Sequence, residues 1–339
     1  MPPILDVFRN DAFSMISLTD AINKIPFVPR QVGRLGIFEE RRVATTTVSL
    51  EERNGVLTLL PTKQRGQAGS LLAPVKRTQR ALKVPHVPHN DNIKADEIQN
   101  VREFGTMDQL QSMQTVVNQR LRDMAANHDA TLEHLMLGAV KGTVVDSDGS
   151  TVIHNLFTEF GVSQHTEIDF DLDNATPAAG ALRKKCHDVW RKIQDALLNV
   201  PFTGVHAFCS PQFFDDLVSH PEVTQAYERW MSGELLRTGL ARRGFEIFGI
   251  TFEEYRGEVN AVKFVADDKA HFFPVGAPGV YQIYYAPADY METVNTLGLP
   301  RYAKISPDER FQKFVEVETQ SNPLVLCTYP RALIQGKRT

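Results

Sequence analysis

Between Thr106 and Ala139 apolar residues recur every three or four positions, at Leu110, Met113, Val117, Leu121, Met124, Leu132, Leu135 and Ala139, with His128 as a polar interruption. That spacing predicts one long amphipathic helix. Thr106 is placed as its N-cap, with Gln109 at the capping-box position, and Gly138 and Gly142 offer stops. Roughly 30 residues at about 1.5 Å each span about 45 Å. This exceeds what most globular domains need, so the polar face is expected to run along a surface or an interface.

Elsewhere the pattern has period two. Val43 to Leu50 alternates in the strand manner, Asn54-Gly55 follows, and Val56 to Leu60 resumes, which predicts a β-hairpin turning near Asn54. A second hairpin is expected around Asp146 to Gly149. Thr176-Pro177 reads as an N-cap followed by a first-turn proline. The helix it would open has Leu182, Cys186, Val189, Trp190, Ile193 and Leu197 on one face and ends before Pro201. A buried strand, Val205 to Cys209, leads into Ser210-Pro211 and a short helix to Ser219. Further strands are expected at 245–248, 250–252, 261–265, 314–318 and 324–327. Residues 1–38 have too little apolar periodicity to fold alone and must lie on their own domain or on a neighbour.

Composition narrows the class. With 339 residues, 42% hydrophobic and 23% charged, the chain supports a packed core and two compact domains. No run approaches the roughly 18 apolar residues of a membrane span, and Met1-Pro2-Pro3 opens no signal-peptide pattern, so no membrane partner is expected and the chain is placed in cytoplasm. Three widely spaced cysteines, Cys186, Cys209 and Cys327, read as reduced, buried thiols.

Charge is uneven. Net charge is −4, yet residues 61–85 hold Lys63, Arg65, Lys76, Arg77, Arg80 and Lys83 with no acid, downstream of Arg41 and Arg42. A solvated loop, a nucleic-acid contact and an arm docking on a neighbouring subunit all remain open for this stretch. Residues 151–182 hold no Lys or Arg, and Asp169, Asp171 and Asp173 line an acidic strand with Ile168, Phe170 and Leu172 inward. That strand is a candidate electrostatic partner for the basic stretch, in the same or another subunit. The spine region from Lys94 to Glu133 carries seven acids, Asp96, Glu97, Glu103, Asp108, Asp123, Asp129 and Glu133, against four bases.

Catalytic and metal patterns fail one by one. The Asp169-Asp171-Asp173 run has Asn174 and Gly180 where a calcium loop needs Gly and a bidentate Glu. His86 with His89, and His128 with His134, lack nearby carboxylates or thiols. Cys186-His187 are adjacent on a helix and point about 100° apart, so Cys186 reads as core and His187 as surface. Phosphate-loop, dinucleotide and nucleophile-elbow motifs are not found. No catalytic, cofactor-binding or metal residue is assigned.

The last sixty residues carry turn punctuation in a fixed order: Phe273-Pro274-Val275-Gly276-Ala277-Pro278-Gly279, Asp289, Glu292-Thr293-Val294-Asn295-Thr296, Tyr302-Ala303-Lys304 and Gln320-Ser321-Asn322-Pro323-Leu324. This order resembles the capsid protein E family, the major capsid proteins of lambda-type tailed bacteriophages, and the likeness extends more weakly over nearly the whole chain. The resemblance implies an α+β, Hong Kong 97-type capsid fold. Its parts would be an N-terminal arm (1–38), an extended β-hairpin loop (39–90), a peripheral domain with a spine helix (91–175), an axial domain (176–310) and returning strands of the peripheral domain (311–339). It also implies self-association as hexamers and pentamers into an icosahedral shell around double-stranded DNA, bound without sequence preference. Assembly in the host bacterial cytoplasm would then involve a separate scaffolding protein and a portal, with use of a decoration protein left open. Under it the inter-subunit contacts would be Arg41, Arg42, Lys63, Arg65, Lys76, Arg77, Arg80, Lys83, Asp169, Asp171 and Asp173. The alternatives are a bacterial nanocompartment shell with the same fold, and an α/β enzyme of unrecognised type.

Overall fold

The computed structural model of the protein describes residues 11–27, 30–53, 77–95, 97, 109–174, 176–198, 200–225, 245–259, 262–308, 310–311 and 313–339. In chain order these form α1 (Met15–Lys24), the single turn α2 (Gln31–Arg34), β1 (Phe38–Arg42), β2 (Thr47–Arg53), β3 (Arg77–Lys83), β4 (Val87–Lys94) and the 33-residue helix α3 (Gln109–Lys141). Next come β5 (Thr143–Val145), β6 (Val152–Asn155), α4 (Leu156–Phe160), β7 (Ile168–Asp169), α5 (Ala181–Leu197), β8 (Gly204–Cys209) and α6 (Pro211–Ser219). The remainder is strand and turn: β9 (Phe245–Ile247), β10 (Ile250–Glu254), β11 (Glu258–Val259), β12 (Val262–Lys263), β13 (Lys269–Val275), β14 (Tyr281–Tyr285), β15 (Tyr302–Pro307), β16 (Phe314–Ser321), β17 (Pro323–Cys327) and β18 (Ile334–Lys337).

Three sheets carry the body. A six-stranded mixed sheet runs β7-β18-β13-β8-β10-β9, a three-stranded antiparallel sheet runs β15-β16-β4, and β1 pairs parallel to β14, which pairs antiparallel to β17. Two apolar cores follow from this. The larger joins the six-stranded sheet, α5, α6 and the C-terminal end of α3, and is dense in aromatics: Phe208, Phe213, Phe252, Phe272 and Phe273 are each 0% exposed. Phe170 stacks on Phe272 at 5.2 Å, and Phe252 meets Phe272 edge-on at 5.8 Å. The smaller core packs Leu18 and Ile22 of α1 against Val117, Leu121 and Met124 of α3 and Ile93, Val315 and Val317 of the antiparallel sheet.

Helix α3 is long because it serves both cores. Its last two turns are buried on every side, from Leu135 to Val140, which departs from the expected surface-running face. Gly138 makes that possible, since a Cβ there would come within 2.9 Å of the Val144 backbone. The helix passes through Gly138 and stops before Gly142, whose φ of +84° only glycine adopts without strain. Its expected cap, Thr106, lies outside the described residues. Two of the acids expected on its surface are interior: Glu133 is 0% and Asp129 7% exposed.

Other expectations shift in the same way. Strand β2 pairs with β3 in the register Thr47↔Lys83 to Arg53↔Arg77, while the Asn54-Gly55 turn and residues 56–60 fall outside the described residues. Helix α5 begins at Ala181, not after Thr176. Gly180 precedes it with φ +80° and no side-chain cap, and the Glu222 carboxylate accepts from the N–H groups of Leu182 and Arg183 at 3.2 and 3.3 Å. The Ser210-Pro211 start of α6 is as expected, with Ser210 Oγ accepting from Phe213 N. Residues 13–25 and α2 pack on the body of the chain, through Phe13, Leu18 and Ile22 and through Val32 N at Glu133. The sheets also exchange strands along the chain, with β15 beside β16 and β18 between β13 and β7.

Candidate assembly surfaces

The basic ribbon β2–β3 is anchored at its root. Val48 and Leu82 are buried in the larger core, and His154 Nε2 lies 2.8 Å from the Lys83 carbonyl oxygen. Arg80 turns back on its own chain, donating to the Glu159 carbonyl and placing its guanidinium 5.7 Å from the Phe160 ring centre. Lys83 is exposed. Arg77 is described as backbone of β3, and Lys63, Arg65 and Lys76 lie outside the described residues. On β1, Arg41 pairs with Glu39 at 3.3 Å and lies over the Tyr284 ring, while Arg42 is exposed.

The acidic run is shorter as a strand than expected. Ile168, Phe170 and Leu172 are buried, but the strand ends at Asp169 and the backbone turns at Asp171, φ +52°, with Phe170 N and Leu172 N still donating to the Lys337 and Arg338 carbonyls at 2.9 and 2.8 Å. Asp169 is engaged by Lys337 at 3.0 Å, and that hydrogen bond holds its carboxyl below the usual range. Asp171 accepts from Asn174 Nδ2 at 3.0 Å, and Asp173 is exposed. The acids sit at one edge of the six-stranded sheet and the ribbon forms a sheet of its own.

Sequence reasoning missed the buried polar residues that fasten the arm. Glu133 accepts from the backbone N–H groups of Val32 and Gly33 at 2.6 and 3.0 Å, and Tyr255 Oη is 3.4 Å away; burial raises its pKa against those hydrogen bonds. Glu253, 5% exposed, accepts from Gln31 at 2.8 Å and pairs with Arg34 and His206. Burial alone would raise its pKa, but the His206 and Gln31 hydrogen bonds leave it lowered. Asp129 pairs with Arg301 across 172 residues of sequence. His128 sits beside them with its pKa pushed down to about 4 by burial, His89 and Arg301. A cavity of about 310 Å³, lined in part by His128, Asp129 and Arg301, separates this cluster from the arm-to-β1 linker.

The turn motifs of the C-terminal region form a second fastening. Asn322, between β16 and β17, donates to the Pro287 carbonyl at 2.8 Å, lies 2.9 Å from His86 Nδ1, and accepts at its backbone oxygen from Ala286 N. Gln320 accepts from Asp289 N, and Ser321 donates to the Pro300 carbonyl, both at 2.8 Å. These groups are buried and hydrogen-bonded, and they hold the point where the chain leaves one sheet for another. The geometry is that of a scaffold, and among the described residues no group of three or more His, Cys, Asp or Glu could hold a metal ion.

Against known proteins, the family described as phage major capsid protein E matches residues 14–338. The major capsid protein of Pseudomonas phage KPP10 is 30% identical, with 99% of each chain covered. That of Salmonella phage Felix O1 is 28% identical, with 95% of each covered. The crystal structure of a candidate capsid protein from a prophage of Escherichia coli CFT073 superposes with a TM-score of 0.57 at 12% identity, covering 96% of this chain and 99% of that one. The fold is the α+β, Hong Kong 97-type capsid fold.

Proposed function

The chain belongs to the phage major capsid protein E family, and on that premise we propose that it is the repeating subunit of a tailed-phage head, closing as hexamers and pentamers into an icosahedral shell around double-stranded DNA. The observation that carries this reading is the end-to-end match to phage major capsid proteins, without large unmatched segments on either side. The role is structural, and the family gives no support to the enzyme alternative. Packaged DNA, a scaffolding protein and a portal are the partners this reading gives the subunit, assembled in the host bacterial cytoplasm, and a decoration protein is an open addition to them.

The expected domain bounds belong to this proposal: arm 1–38, extended loop 39–90, peripheral domain 91–175 with returning strands 311–339, and axial domain 176–310. Strands cross these bounds, since β15 pairs with β16 and β18 lies between β13 and β7, and the larger core draws residues from all five segments. Arg42, Lys83, Asp171 and Asp173 are exposed and stand as the candidates for contacts between subunits, and Lys63, Arg65, Lys76 and Arg77 are carried into the proposal from the sequence alone. Arg41, Arg80 and Asp169 already have partners in their own chain and are secondary candidates. Negative-stain electron microscopy beside sedimentation of the purified chain tests the reading. Closed shells or capsomer rings are expected; a monomer or dimer under all conditions, with scaffold supplied, would overturn it.

A further inference from the structure

The segment between β14 and β15 inverts the usual distribution of side chains. Thr293 is 3% exposed, and its hydroxyl donates to the carbonyls of Ala288 and Tyr290 at 2.6 and 2.9 Å. Thr296 Oγ1 donates to the Thr293 carbonyl at 2.8 Å, Asn295 adopts φ +60°, and Leu299 N donates to Tyr302 Oη at 2.8 Å. Gly298 is pressed so closely on β14 that a Cβ would meet the Tyr285 carbonyl oxygen at 2.1 Å. The backbone is therefore held at many points, yet Met291 is 91%, Val294 59% and Leu297 63% exposed. Three large apolar side chains within seven residues, on a turn held this firmly, are presented to solvent.

Another apolar pair, Phe311 and Phe314, differs. Arg310 and Lys313 lie over the Phe311 ring at 5.0 and 5.5 Å, so cations already cover that face. Around Met291, Val294 and Leu297 the neighbouring charges, Glu292 and Lys304, pair with each other at 2.7 Å. The three side chains offer on the order of 300 Å², well short of the roughly 800 Å² per partner of a stable free-standing interface. A contact this small suits a symmetric assembly, where each copy repeats it alongside others. Its position fits too: Gly298 N donates to the Val43 carbonyl at 2.9 Å, so the turn abuts the short link between β1 and the ribbon.

We propose that the Met291/Val294/Leu297 turn, beside the root of its own ribbon, is a contact between copies of this chain, an apolar knob that seats on the neighbouring subunit. The proposal rests on the shell reading above and names one of its seams. A photo-crosslinking side chain introduced as Val294→benzoylphenylalanine in the full chain, irradiated under assembly conditions, should give an adduct of twice the chain mass. The same probe at Lys83 is the control. A chain-to-chain adduct from Lys83 with none from Val294, or a Val294 adduct to a different polypeptide, overturns the knob and leaves the shell reading intact. No adduct from either position, with no particles, overturns both. In a second measurement, Met291→Ser/Val294→Ser/Leu297→Ser should lower the yield of closed shells about tenfold or more, as loss of a repeated contact requires. The unassembled subunit should still melt within about 3 °C of the parent; parental shell yield from this variant would overturn the inference.

Discussion

In the six-stranded sheet, β8 and β13 lie between other strands and five phenylalanines of the surrounding core are wholly buried. In the β2–β3 ribbon, seven residues pair with seven. Of Thr47–Leu50 and Arg80–Lys83, Val48 and Leu82 are buried, Leu50 and Arg80 half-buried and the other four exposed. Both regions satisfy backbone hydrogen bonds by strand pairing, but one buries its faces within the subunit, while among the ribbon's described side chains two of eight are buried. An isolated two-stranded ribbon is marginal in water, which is the physical reason the proposed function gives the ribbon a neighbour to rest on. Under the proposed reading the sheet makes the subunit and the ribbon makes contacts between subunits.

The largest expected effect belongs to the sheet. Phe272→Ala removes a ring in contact with Phe170 and Phe252 and should cost about 3–5 kcal/mol, read as loss of soluble, cooperatively unfolding subunit. Ser49→Ala at an exposed ribbon position should cost under about 0.5 kcal/mol by the same measurement; equal losses would erase the distinction. Next comes acid. The folded-state pKa of His128 is about 4 against an unfolded 6.5, so the stability it contributes is present above pH 6.5 and is lost as pH falls through about 4, on the order of 3 kcal/mol in all. Glu133 has the opposite sign, because a raised carboxyl pKa favours the fold as pH falls. The difference between parent and His128→Asn unfolding profiles isolates the histidine, and it should be the same in unassembled subunits, since Thr319 at 2.9 Å is an internal partner. Smallest for the fold is Lys83→Glu, expected to change stability by under about 0.5 kcal/mol while weakening assembly and its salt dependence. A variant that assembles normally at low and high salt would remove Lys83 from the contact.

What the sequence disclosed follows the range of the forces. Helix α3, α6 and its Ser210 cap, and the inward set Ile168, Phe170 and Leu172 were legible because periodicity and caps act over a few residues. The start of α5 was not, because its cap, Glu222, lies 40 residues from Leu182. Nor were Glu133 and Asp129, which read as surface acids until α2 and Arg301 arrive from distant parts of the chain to bury them. The ribbon's partner strand was likewise hidden, since pairing of β2 with Arg77–Lys83 spans a segment with no local register signal. The turn motifs near Gln320-Ser321-Asn322 marked the family, and the structure supplies their reason as the hydrogen bonds that let the chain change sheets.

One construction separates the two regions directly. Replacing residues 50–80 by Asn-Gly would close Ser49 onto Ala81 with a two-residue type I′ turn, keeping Val48 and Leu82 in the core while removing the rest of the ribbon. Sedimentation and electron microscopy of this chain beside the parent, together with thermal unfolding, is the decisive measurement. The account predicts a folded subunit melting within about 5 °C of the parent that forms no closed shells. Parental shells from the shortened chain, or a subunit that no longer folds, would contradict it.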